Sequence, residues 1–252
     1  MIGTLRNVAF DAPDHRALAR FYADLLGGEV TGDSDEWTVI RTADGWRLGF
    51  QPVAGHRAPT WPSQELPQQL HLDFQVPDVA AAALRAESLG ATRAGAGTDT
   101  VRDEDGDDQK LIVMADPAGH TFCLCANEQD EPIRVFGACI DCPDPAGLAR
   151  FYAALLGMEV RYEGDDGAWL ATDSPAANVT LQGVADYNPP RWPDTAYPQQ
   201  LHLDVFVDDV EAAEQQAVGL GAQPLPGSGD NWRVYADPAG HPFCLVFDPD
   251  EQ

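Results

Sequence analysis

Lysine is almost missing from this chain. There is one, Lys110, and lysine and arginine together number 15 against 41 aspartates and glutamates, for a formal net charge of -26. Nucleic acids and anionic membrane surfaces are met through positive patches that neutralise phosphates, so this balance argues against both and leaves a small molecule as the expected partner. Long apolar runs are missing too: nothing approaches the roughly 20 residues that cross a bilayer. The first ten residues lack the basic start, apolar stretch and small-residue cleavage site of a signal peptide. The five cysteines are odd in number and irregularly spaced, which makes no disulfide framework and predicts free thiols in a reducing cytoplasm.

What the chain has is repetition. Its 252 residues, 44% of them hydrophobic, are enough for two cores of ordinary size. Pro67-Gln68-Gln69-Leu70-His71-Leu72-Asp73 recurs as Pro198-Gln199-Gln200-Leu201-His202-Leu203-Asp204. A Trp-Pro pair precedes each copy, Trp61-Pro62 and Trp192-Pro193, and Asp-Pro-Ala-Gly-His follows at 116–120 and 237–241. Ala19-Arg20-Phe21-Tyr22 with Leu25-Leu26-Gly27 returns as Ala149-Arg150-Phe151-Tyr152 with Leu155-Leu156-Gly157. Self-similarity on this scale marks a duplicated domain rather than a solenoid. Residues 1–130 and 131–252 are the expected domains, with the boundary near Gln129 to Pro132.

In the first half Leu5 to Asp11 reads as extended. Asp14 is a fitting N-cap for a helix in which Leu18, Phe21, Tyr22, Leu25 and Leu26 recur at helical spacing, closed by Gly27-Gly28. Three strands follow, over Glu29 to Thr31, Trp37 to Thr42 and Trp46 to Pro52. The order then repeats: the heptapeptide runs as a strand to Val76, Asp78 caps an alanine-rich helix to Leu89, and strands cover Ala91 to Ala94, Lys110 to Ala115 and His120 to Ala126. Asp99 to Gln109, acidic around Gly106, reads as a solvated loop, and His120 and His241 as exposed turn residues. Side chains alternate along a strand, so Gln69, His71 and Asp73 share one face while Leu70, Leu72 and Phe74 share the other. That pattern fits a sheet curled around a cavity.

These marks together resemble the vicinal oxygen chelate superfamily, which includes glyoxalase I, bleomycin-resistance proteins and extradiol dioxygenases. They are a first strand ending in Asp before a helix with Phe-Tyr and Leu-Gly, a His-Leu-Asp strand leading to a second helix, and a closing Asp-Pro-Ala-Gly turn. The Trp-Pro pair followed by the heptapeptide is similar to the glyoxalase-like subgroup. The resemblance implies an α+β class, with four βαβββ modules forming two glyoxalase-like half-barrel domains in one chain, facing each other as a pseudo-dimer with a cavity in each half. It also implies three metal-ligand positions per domain, which fall on Asn7 and Gly137, on His71 and His202, and on Cys123 and Cys244. An amide is a weak ligand, glycine offers none, and a thiol in place of the family's glutamate favours zinc or a softer metal.

Two function classes follow. The first is metal-independent binding of a small, partly aromatic molecule, with no cofactor. Asn7, Gln69, His71 and Asp73, and in the second half Gln200, His202 and Asp204, supply polar contacts; Trp61, Trp37 and Trp46, or Trp192, Trp169 and Trp232, supply flat walls. The second is a metal-dependent lyase, isomerase or dioxygenase with non-standard ligands. Cys139 shares a face with Gly137, so Cys139, His202 and Cys244 are the candidate set for zinc or another divalent metal. A Cys-His nucleophile would instead pair Cys123 with His71 and Cys244 with His202. Asp73 and Asp204 lie about 7 Å along the strand from those histidines, a span bridged by a bend or a water. Internal duplication predicts a monomer, with a homodimer as the alternative.

Overall fold

The computed structural model describes residues 1–94, 99–102, 108–127, 132–174 and 176–248. Module 1 comprises β1 (Thr4–Ala12), α1 (His15–Leu26), β2 (Glu29–Asp33), β3 (Thr38–Arg41) and β4 (Arg47–Pro52). Module 2 comprises β5 (Leu70–Val76), α2 (Val79–Ser88), β6 (Thr92–Arg93), β7 (Asp99–Arg102), β8 (Asp108–Ala115) and β9 (Thr121–Ala126). Module 3 holds β10 (Arg134–Cys142), α3 (Pro145–Leu156), β11 (Glu159–Glu163), β12 (Gly167–Ala171) and β13 (Val179–Gly183). Module 4 holds β14 (Leu201–Phe206), α4 (Val210–Gly219), β15 (Gln223–Pro224), β16 (Trp232–Ala236) and β17 (Pro242–Val246). Of the expected domain boundary, Gln129 to Pro132, residues 129–131 lie outside the described residues, as does the centre of the acidic stretch, 103–107. The flanks of that stretch are not loop: Asp99 to Arg102 pairs with Leu111 to Asp108.

The helices begin and end where their sequences direct. The carboxylates of Asp14, Asp78, Asp144 and Asp209 accept hydrogen bonds from first-turn backbone N–H groups of the four helices, which satisfies donors that the helix itself cannot. Gly27 and Gly157 stop α1 and α3 in the left-handed conformation, at φ 64° and 65°, which would cost another residue about 1–2 kcal/mol. No described helix is long and apolar enough to cross a membrane.

The sheets cross the sequence halves. One runs β15-β16-β17-β14-β1-β4-β3-β2, the other β11-β12-β13-β10-β5-β9-β8-β6, with β7 added on β8. Within a half, β1 pairs with β4 and β5 with β9, so β1 and β5 each keep an open edge. The other half closes both: β1 lies antiparallel to β14 with Ala9 opposite His202, and β5 lies antiparallel to β10 with His71 opposite Cys139. Modules 1 and 4 therefore build an outer cup, and modules 2 and 3 an inner cup. The greasy faces of the two sheets remain shared within a half. Tyr22 of α1 packs 6.4 Å from Phe74, and Phe21 packs 6.3 Å from Phe122.

The repeated glutamines lock this crossing. Gln68 Nε2 donates to the Asp141 carboxylate and Gln199 Nε2 to that of Asp11. Gln69 and Gln200 reach across to the opposite heptapeptide, donating to the carbonyls of Pro198 and Pro67, and the backbone N–H of Gln200 donates to Gln69 Oε1. Gln69 and Gln200, expected as ligand contacts, are thus seam residues, because the two heptapeptides start side by side and their amides meet first.

The Asp-Pro-Ala-Gly-His turns are latches rather than exposed corners. Asp116 accepts from the backbone N–H groups of Ala118 and His120, which folds the turn back on itself. It then accepts Tyr22 Oη at 2.9 Å and lies 2.8 Å from His120 Nδ1. Asp237, Tyr152 and His241 repeat the arrangement at 2.8 and 3.1 Å. His120 and His241, expected to be exposed, are 0% and 1% accessible.

Candidate functional site

On the inner cup, the face turned away from the helices carries one lateral row of cross-strand neighbours: Trp169 on β12, Thr180 on β13, Cys139 on β10 and His71 on β5. Adjacent strands lie about 4.8 Å apart, so the row spans about 14 Å. Three of its four members present a buried polar atom with no hydrogen-bond partner in the protein: Trp169 Nε1, Thr180 Oγ1 and His71 Nδ1. Phe136 stands beside the row, its ring centroid 5.4 Å from that of Trp169. One wall is thus aromatic, and the floor is polar and unsatisfied.

At the other end of the row His71 Nε2 lies 3.3 Å from Asp73 Oδ1, and His71 Nδ1 lies 4.0 Å from Asp141 Oδ1. The sequence expectation of a bend or water between His71 and Asp73 does not hold. Side chains on one face of a strand lean along it, and these two are long enough to meet. The second pair does the same, with His202 Nε2 3.4 Å from Asp204 Oδ1. Donor atoms of His71, Asp73 and Cys139 lie within 4.8 Å of one another, as do those of His202, Asp204 and Cys244. The expected trio of Cys139, His202 and Cys244 is therefore split between cups, because β10 pairs with β5 and not with β14.

Burial pushes the thiols of Cys123, Cys139 and Cys244 up, against the pull of the neighbouring histidines. Thiols raised in this way are protonated at neutral pH, which removes the resting thiolate that a Cys-His nucleophile requires. At His71 burial opposes the imidazolium, but Cys139, Cys123 and Asp73 outweigh it and the ring titrates well above its ordinary range. With the thiols protonated, the Asp73 carboxylate is the neighbouring charge left to favour the imidazolium.

The outer cup has the same frame and different contents. The matching row is Val39, Gly49, Ala9 and His202, and Trp37 lies over its centre. A Cβ on Gly49 would run into the Trp37 ring, so glycine is what lets the indole fill the floor. Asn7, expected beside His71, belongs here. Its Nδ2 donates to Asp204 at 2.9 Å and its Oδ1 accepts from Arg47 Nε at 3.1 Å. Trp192 packs on Gly227, whose carbonyl also accepts from Trp232 Nε1 at 2.8 Å, so both indoles lie at Gly227, just after the edge strand of this cup. Trp61 is half-buried in the loop before β5, next to a cis proline.

Trp46, expected as a ligand wall, is buried in the core with Leu48 and Phe50, on whose face strand alternation puts it. Phe136, Thr180, Arg6, Arg41 and Arg47 were not singled out by the sequence. The two arginines flanking the β3–β4 hairpin in so acidic a chain were the available signal; Phe136 and Thr180 had none until β10 was known to lie beside β5.

The family model described as "Glyoxalase-like domain" matches residues 7–125 and again 137–246. No curated protein matches the sequence. Among solved structures, glyoxalase I from Zea mays is similar at 16% identity and TM-score 0.67, over 98% of this chain and 93% of that one. A Bacillus subtilis protein described as a candidate dioxygenase is similar at 13% identity and TM-score 0.65, over 98% and 86%. The bleomycin resistance determinant encoded on transposon Tn5 matches 49% of this chain and 98% of its own, at 19% identity and TM-score 0.35.

Proposed function

This chain belongs to the glyoxalase-like domain family of the vicinal oxygen chelate superfamily, carrying the domain twice, and from that premise we propose that its inner cup binds a small, partly aromatic molecule without a metal. The observation that carries this reading is the row of three orphan polar atoms beside the Phe136–Trp169 wall. A buried polar group left unpaired costs about 1–3 kcal/mol. A flat ligand that accepts from the Trp169 N–H and bonds Thr180 and His71 recovers that cost while stacking on the aromatic pair. The partner is a small molecule rather than nucleic acid or membrane. A monomer suffices, because each half closes the other's strand edges; a homodimer is the alternative.

The metal set that the superfamily implies does not fit these residues. Gly137 offers no donor, the Asn7 amide is engaged by Asp204 and Arg47, and Cys123 and Cys244 stand where a carboxylate is needed. One observation favours the runner-up, a metal-dependent lyase, isomerase or dioxygenase: the cluster of His71, Asp73 and Cys139 is a donor set that suits zinc.

The probe that separates them is 2-naphthol, a flat ring system with one hydroxyl, titrated calorimetrically into chelator-treated protein. Binding is expected without added metal. Trp169→Phe, which keeps a ring and removes the N–H, and Thr180→Val should each weaken it about tenfold, the worth of one hydrogen bond. Equal affinity in both variants, or binding only after zinc is added, would contradict the reading.

A further inference from the structure

The outer cup carries a different chemistry. Arg41 and Arg47 are direct partners across the β3–β4 hairpin, and Arg6, at the bulge in β1, holds its guanidinium 5.4 Å over the Phe206 ring. Like charges directly opposite on neighbouring strands destabilise a sheet. Glu29 stands opposite Arg41 on β2, yet among the described residues no carboxylate lies within ion-pair distance of any of the three. Asp204 attracts Arg47 through space but is occupied by Asn7 and His202. Burial and the charges of Arg6 and Arg41 pull the Arg47 pKa down, yet a guanidinium remains charged in a protein.

The corresponding positions of the inner cup, read from the matched strand pairings, are Phe136, Ala171 and Asn178. None carries a charge, so the arginines belong to this cup and not to the fold. Two further buried polar atoms without a partner, His202 Nδ1 and Gln200 Oε1, lie on β14 and at its start.

We propose that the outer cup is a second, separate ligand site, for a small molecule that carries a carboxylate on a flat apolar body. The arginine group takes the carboxylate, for which the planar fork of a guanidinium is matched in geometry, and the Trp37 and Phe206 rings take the body. Duplication would then have given one chain two cups of different taste, one neutral and one for acids.

The test is calorimetric titration of the intact chain with 2-naphthoate, alone and in the presence of saturating 2-naphthol. Binding is expected to persist under 2-naphthol and to weaken at high salt, where exposed charges are screened. Arg47→Gln and Arg41→Gln should each weaken it about tenfold, with partial recovery in Arg47→Lys, while Trp169→Phe leaves it unchanged. Arg41 is exposed, so its variant keeps the test readable if Arg47→Gln folds poorly. No binding at millimolar naphthoate, equal binding in the arginine variants, or displacement by 2-naphthol together with loss in Trp169→Phe would overturn the proposal. Failure of 2-naphthol alone to bind would count against the inner cup and leave this site standing.

Discussion

Residues 1–127 expressed alone are expected not to give a stable monomer. Such a fragment keeps the Tyr22, Phe74 and Phe122 core but leaves both β1 and β5 without their partners β14 and β10. Each open edge is a row of unpaired N–H and C=O groups that templates pairing with another chain. It also loses the seam bonds from Gln68 and Gln69 to Asp141 and Pro198. Size-exclusion chromatography with light scattering should therefore show a dimer or larger assembly, in which a second copy supplies the missing strands. Adding residues 132–252 should convert it to a one-to-one complex. A monomeric fragment that melts cooperatively would show that the cups do not depend on the crossing.

Asp237→Ala is expected to be the most damaging single substitution in the turns. The carboxylate is 2% accessible and holds Tyr152 Oη, His241 Nδ1 and the backbone N–H groups of Ala239 and His241. Removing a buried carboxylate and leaving the four donors it satisfies without a partner costs about 3 kcal/mol or more, which in a chain of this size lowers the melting temperature by about 10 °C. A melting temperature unchanged from the parent would contradict the latch.

The pH dependence has a defined sign. Burial works against the Asp237 carboxylate, but His241, Tyr152 and the backbone N–H of His241 outweigh it and hold its pKa below the ordinary value. A carboxylate depressed on folding contributes stability above its unfolded pKa and loses it as pH falls through the folded one. The stability gap between the parent and Asp237→Asn should therefore narrow in acid, which melting curves across that range would read.

Most of the fold was legible because its signals are local. Asp14, Asp78 and Gly27 act at their own helix ends, and the alternation in Gln69-Leu70-His71-Leu72-Asp73 survives in any sheet. Strand partnership is not local. Nothing in the heptapeptide says whether β5 meets β1 or β10, and that choice decides the company His71 keeps. It moved Asn7 to the outer cup, separated Cys139 from His202 and brought Thr180 and Trp169 into line with His71. The turn histidines were misplaced for a related reason. Asp-Pro-Ala-Gly reads as a surface turn, while the tyrosines that bury it, Tyr22 and Tyr152, come from a helix far away in sequence.

Elemental analysis decides whether the inner cup works without a metal. The protein, purified without an affinity tag, is measured by inductively coupled plasma mass spectrometry before and after incubation with zinc and gel filtration. The expected result is a metal content far below stoichiometric in both samples. Near-stoichiometric zinc that is lost in His71→Ala and in Cys139→Ala would contradict it and make the inner cup a metal centre.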